Sequence, residues 1–193
     1  MKNPKTQLIE RILSLRSAYR RKISGQLNRS YSNNISQNED ELFKKGTEFE
    51  AFVVKRFNTD EFTLIEWRSD KNIDGIYPIM SRFPDLEFYY QNRNDCHQFA
   101  IECKWKEHFY KESIILNGYQ LENYLHYETV TGYTTFIIIG IGNTPSNPNS
   151  VYILPVRTIT KTRLHEFDLE IYRRPKSHQE FKIKCQEGIL SLH

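Results

Sequence analysis

The stretch Tyr133 to Ile141 (YTTFIIIGI) constrains this chain more than any other. It has no polar alternation, so as a strand it must be covered on both faces, and the chain must supply layers on each side of a sheet. The longest uninterrupted apolar run, Phe136 to Ile141, is far short of a membrane span and carries a glycine. A buried strand of a non-membrane protein follows. At 193 residues the chain has room for one domain, with an arm to spare.

The remaining pattern fits around that strand. Phe49, Phe52, Val53 and Phe57 fall on one face of a helix expected over Asp40 to Phe57. Phe62 to Trp67 is rich in strand-forming residues, and a polar, turn-prone loop follows. Leu86 to Tyr90 places Leu86, Phe88 and Tyr90 on one face and Asp85, Glu87 and Tyr89 on the other. Gln98 to Lys106 alternates likewise, with Phe99, Ile101, Cys103 and Trp105 opposite Glu102, Lys104 and Lys106. The two strands, separated by QNRNDCH, predict an antiparallel hairpin. A helix is expected from Asn117 to Glu128, ending near Gly132, and a short strand over Val151 to Leu154. Leu169 to Tyr172 and Phe181 to Ile183 read as strand-like pieces. The order predicts an α/β fold, a mixed sheet flanked by helices.

Charge divides the chain. Residues 1–38 hold eight Lys/Arg and one acid, whereas residues 39–193 hold 19 basic and 23 acidic residues. Leu8, Ile12, Leu15, Tyr19 and Ile23 predict an amphipathic helix beside Arg11, Arg16, Arg20 and Arg21. Residues Ser24 to Asn38, rich in Ser, Asn and Gln, read as a linker. The expected organisation is a basic helical arm over 1–38 and a main domain over 39–193. MKNPKTQLIERI has no apolar stretch before small residues, so no secretory signal is expected and the cytoplasm is the expected location. Three widely spaced cysteines and six histidines without an HxH or HExxH pair predict neither a disulfide framework nor a His-built metal site.

The hairpin would bring Asp85 beside Glu102 and Lys104, which share a face because residues two apart on a strand project together. Two carboxylates and a carbonyl suit a hard cation such as Mg²⁺ or Mn²⁺. A neighbouring lysine can hold a water and offset charge growing on a phosphate, while the metal lowers the pKa of that water. Glu-x-Lys alone is weak evidence, because Glu180 and Lys182 repeat it without a preceding Pro-Asp.

Context adds to it. Pro84-Asp85 followed by Glu102-Cys103-Lys104 resembles the PD-(D/E)xK nuclease superfamily, the restriction-endonuclease-like fold. Upstream, Gly46-Thr47-Glu48-Phe49-Glu50 looks like the G-x-x-x-E of that family's first core helix. Downstream, Gln120-Leu121-Glu122-Asn123-Tyr124 looks like the Q-x-x-x-Y of its RecB-type branches. The resemblance implies that Asp85, Glu102 and the Cys103 backbone carbonyl ligate the metal, and that Lys104 positions or activates the water. Glu50 would bind metal through water or support a second ion, with Glu48 as the alternative. Gln120 and Tyr124 would face the substrate backbone or steady Lys104; otherwise they belong to an ordinary amphipathic helix. Asp70, Lys71 and Asp74 either line the site or form a solvated turn, and Asp74 is the rival to Asp85.

The function expected is a Mg²⁺- or Mn²⁺-dependent deoxyribonuclease, an endonuclease in the first instance. DNA is the partner, with Arg20 and Arg21 among the arm residues available to phosphates. The alternative for the arm is docking on the domain or on a second subunit of a homodimer. The alternatives for the whole are a non-catalytic DNA-binding or assembly protein of the same fold, or an RNA-processing nuclease. The chain carries no helicase segment, no cysteine set for an iron-sulfur cluster and no sequence-reading insertion.

Overall fold

The computed structural model describes residues 33–68, 82–174, 179–186 and 189–193. In it the apolar stretch forms β5 (Thr134–Ile141). Parallel to β5 on one side runs β3 (Cys96–Lys106), and β6 (Ser150–Pro155) is antiparallel on the other. Next to β3 come β2 (Leu86–Gln91) and then β1 (Phe62–Trp67), both antiparallel to their neighbours, giving the order β1-β2-β3-β5-β6. The mixed sheet flanked by helices is therefore the architecture.

β5 is covered on both faces, as its composition requires. Phe136 and Ile138 pack with Phe49, Phe52 and Val53 of helix α1 (Asn33–Val54). Ile137, Ile139 and Ile141 pack on the other side with Leu121 and Tyr124 of helix α2 (Gly118–Thr131). Each such side chain removed from water contributes about 1.5–3 kcal/mol, so the alternation of five residues fixes both layers. Gly140 explains the one gap in the run: a Cβ there would lie within 2.7 Å of Phe49 Cζ, so the ring of α1 occupies the space a side chain would need.

The helix ends follow local rules. The Asn117 side chain accepts from the backbone N–H groups of Tyr119 and Gln120 and starts α2. Gly132, at φ 73°, ends it by donating to the Glu128 carbonyl, in a left-handed conformation that favours glycine. The connection from β3 to α2 includes β4 (Ser113–Ile115), which pairs with β7 (Arg163–His165) in a separate two-stranded sheet. β8 (Ile183–Gln186) and β9 (Ile189–Leu192) form another.

Two expectations are corrected. α1 starts at Asn33, inside the stretch read as a linker, and ends at Val54 rather than Phe57. The polar composition over 33–38 favours a loop, whereas those residues extend a helix that the Phe49-Phe52-Val53 face anchors downstream. Leu169 to Tyr172 is helical, with α3 (Glu166–Leu169) followed by a 3-10 turn over Glu170–Tyr172. There the Asp168 carboxylate accepts from the His165 backbone N–H and also pairs with Lys161, a local cap that overrides strand propensity. The basic arm, with Arg20 and Arg21, and the loop residues Asp70, Lys71 and Asp74 lie outside the described residues. Among the described residues no helix is long and apolar enough to cross a membrane.

Candidate active site

The site begins with a mismatch in strand length. The last β2–β3 pair is Leu86 with Ile101, yet β3 runs on to Lys106, held on its other side by β5 from Glu102–Ile137 through Lys106–Ile141. Pro84 has no N–H to extend the β2 ladder. The Asp85 side chain takes its place: Oδ2 accepts the Cys103 backbone N–H at 2.8 Å, satisfying a donor of that strand edge.

Around this edge, which no described strand pairs beyond Ile101, lies a cleft of about 510 Å³ whose walls include Glu50, Asp85, Glu102, Cys103 and Lys104, with Lys45 and Lys106 alongside. Residues of both parities of β3 line it, as expected of a strand edge rather than a sheet face. α1 forms one wall through Leu42, Phe43, Gly46 and Glu50, which recur at helical spacing. Glu48 faces away and pairs with Lys44 at 3.9 Å, so helix phase puts Glu50 rather than its rival on the cleft. Gly46 has no heavy atom within 4 Å of where a Cβ would stand, so the wall is open at that point.

Glu102 is 2% exposed and paired with Lys104, itself 24% exposed. A carboxylate so buried needs a countercharge, and Lys104 supplies it. Asp85 is 6% exposed. Glu50 accepts a hydrogen bond from the Trp67 indole N–H. The field of these acids registers on Cys103, whose thiol is pushed well above its ordinary pKa, first by burial and then by the charges of Asp85, Glu50 and Glu102. The same surroundings oppose a thiolate at Cys103 in the metal-free protein.

Glu50, Asp85 and Glu102 offer the cleft carboxylate oxygens, as Mg²⁺ or Mn²⁺ prefers, so the residues fit such an ion in kind. Their arrangement is not yet that of a filled site. Among the described residues no three His, Cys, Asp or Glu side chains meet closely enough to hold a metal. Asp85 accepts from the Cys103 N–H, Glu102 pairs with Lys104, and Glu50 accepts from Trp67.

Gln120 and Tyr124 do not line the cleft. Tyr124 is 3% exposed in the core on the α2 side, and Gln120 is half-buried. Two residues of the site's framework escaped sequence reasoning. Trp67 holds Glu50, and Arg68 holds the Pro84-Asp85 segment, with its Nη1 donating to the Pro84 carbonyl at 2.9 Å. The pairing of Trp67 with Leu86 places Arg68 opposite Asp85, a register that sequence alternation alone leaves open.

Fold and cleft together define a mixed α/β protein with an acidic, lysine-bearing cleft where β3 runs on past the last residue paired with β2. No family model matches the chain, and no curated protein matches it. Among solved structures it is similar to Hjc, a Holliday junction resolvase from the archaeal hyperthermophile Archaeoglobus fulgidus. The identity is 15% and the TM-score 0.47, over 65% of this chain and 93% of that one. A likeness of that size assigns neither activity nor residue roles.

Proposed function

We propose that the protein is a divalent-metal-dependent nuclease that hydrolyses DNA phosphodiester bonds. One observation carries this reading: Glu50, Asp85, Glu102 and Lys104, drawn from α1, the residue before β2 and the middle of β3, line one cleft. Asp85, Glu102 and the Cys103 carbonyl would hold Mg²⁺ or Mn²⁺, with Glu50 beside them. Such an ion, when bound, polarises a phosphoryl oxygen and lowers the pKa of a water. Lys104, freed from Glu102 when that carboxylate has another countercharge, holds the attacking water or meets the charge developing on the phosphate. Lys45 and Lys106 on the cleft walls give flanking phosphates positive partners that carry no sequence information.

The test is incubation of purified protein with covalently closed plasmid and Mg²⁺ or Mn²⁺. Nicking of a closed circle is expected, and Asp85→Asn or Lys104→Ala should abolish it. Cleavage that persists in chelator, or in both variants, overturns the proposal. A second reading is a DNA-binding protein of the same fold that has lost catalysis, in which the protein contacts of Asp85, Glu102 and Glu50 serve to hold the fold. Its signature is metal-independent DNA affinity with no heat of Mn²⁺ binding in calorimetry.

A further inference from the structure

We propose that Arg68 is the positioning residue of this site, fixing Asp85 against the edge of β3. That Asp85 serves catalysis rests on the function proposed above; that Arg68 holds it does not. The Arg68 side chain is 7% exposed. Its two terminal nitrogens are split between two acceptors that flank Asp85 in sequence: Nη1 donates to the Pro84 carbonyl at 2.9 Å and Nη2 to Glu87 Oε1 at 2.7 Å. Its backbone N–H donates to the Asp85 carbonyl at 2.7 Å. The guanidinium also lies against the rings of Phe83 and of Tyr127 on α2, at 5.6 and 5.8 Å from their centroids.

The segment from Phe83 to Glu87 is thus gripped on either side of Asp85. The Asp85 carboxylate is held in one arrangement, with Oδ2 on the Cys103 N–H. A buried guanidinium is costly unless it is well partnered, and the rigid planar fork is what allows one side chain to bridge a carbonyl and a carboxylate. Lysine, a single ammonium on a flexible stem, cannot reproduce both bonds in fixed geometry.

The experiment uses ¹⁵N-labelled full-length protein without metal, followed by Mn²⁺ titration in a calorimeter. In Arg68→Lys the Cys103 amide should exchange about tenfold faster, because its acceptor is no longer held, while β5 amides paired with β6 keep the wild-type rate. Mn²⁺ affinity should fall by about 10-fold, the effect typical of losing a residue that orients a metal ligand. A folded Arg68→Lys with wild-type exchange at Cys103 overturns the proposal. Should Arg68→Lys not fold, Glu87→Met carries the test: it keeps the guanidinium but removes the acceptor of its Nη2, and an unchanged Cys103 amide there overturns the proposal equally. If Cys103 responds while the wild type binds no Mn²⁺, the metal reading of the cleft falls and the role of Arg68 stands.

Discussion

Replacing Lys104 by Met tests both the electrostatics of the cleft and its proposed chemistry. Met keeps most of the aliphatic stem, so the change removes charge rather than packing. It leaves Glu102, 2% exposed, without the ammonium that now neutralises it. Breaking a fully buried pair costs about 3–5 kcal/mol, whereas an exposed pair is worth about 0–1. Lys104 is a quarter exposed, which sets the expectation between them, at about 2–3 kcal/mol. For a chain of this size that lowers Tm by about 5–10 °C. Urea unfolding in chelator, followed by the fluorescence of Trp67 and Trp105, measures it. Mn²⁺ should then restore stability, adding about 2.7 kcal/mol at a hundredfold excess over Kd. At one and the same Mn²⁺ concentration the gain should be larger in Lys104→Met than in the wild type, since without a competing ammonium at Glu102 its Kd is lower. Equal stability of variant and wild type in chelator, or equal gains from Mn²⁺, would refute the reasoning.

Gly46→Ala should stabilise the protein by about 0.5–1 kcal/mol, since a helical glycine gives way to alanine in open space, yet slow cleavage if a phosphate backbone passes that wall; urea curves and plasmid nicking should move in opposite directions. Gly140→Ala should destabilise by about 1–3 kcal/mol by driving the new methyl into Phe49, and Phe49→Leu in the same chain should recover part of the loss. Glu128 is 2% exposed, and burial raises its pKa against the opposing pull of Arg157. A carboxyl whose folded pKa lies above its unfolded value favours folding most below the unfolded value, and that contribution is lost as pH rises through the folded pKa. The stability of wild type minus Glu128→Gln, from urea curves at successive pH values, should therefore fall as pH climbs from 4.5. Deleting residues 1–32, a cut that spares α1, should weaken DNA binding and flatten its salt dependence by about 0.9 for each phosphate the arm neutralises; an unchanged slope would place the arm elsewhere.

What the sequence made legible was what periodicity controls. Alternation in 86–90 and 98–106 fixed which residues share a face, and it therefore placed Asp85 beside Glu102 once the hairpin formed. The unbroken apolar run required two layers, and five residues of β5 divide between them. Helix phase separated Glu50 from Glu48 only when the direction of the Phe49 face was known, and that came from Gly140. The partners of the charged groups were not legible. Trp67 to Glu50 and Arg68 to Pro84 and Glu87 join positions whose meeting depends on where β2 begins, which Pro84 and the β1 register set together.

The two copies of Glu-x-Lys make the distinction concrete. Glu180 and Lys182 are both exposed, with Phe181 buried between them at 1%, the ordinary pattern of a half-covered segment. Glu102 and Lys104 have the same spacing around Cys103, but Glu102 is buried, on a strand that lies in the middle of the sheet. The same three-residue pattern is a solvated surface in one place and a desolvated ion pair in the other. The difference is made by neighbours far away in the chain: Pro84 precedes the start of β2, β5 carries β3 past it, and Glu102 is left buried beside Lys104. Ionised, Glu102 is stabilised there by a cation, which is Lys104 in the structure and a metal in the function proposed.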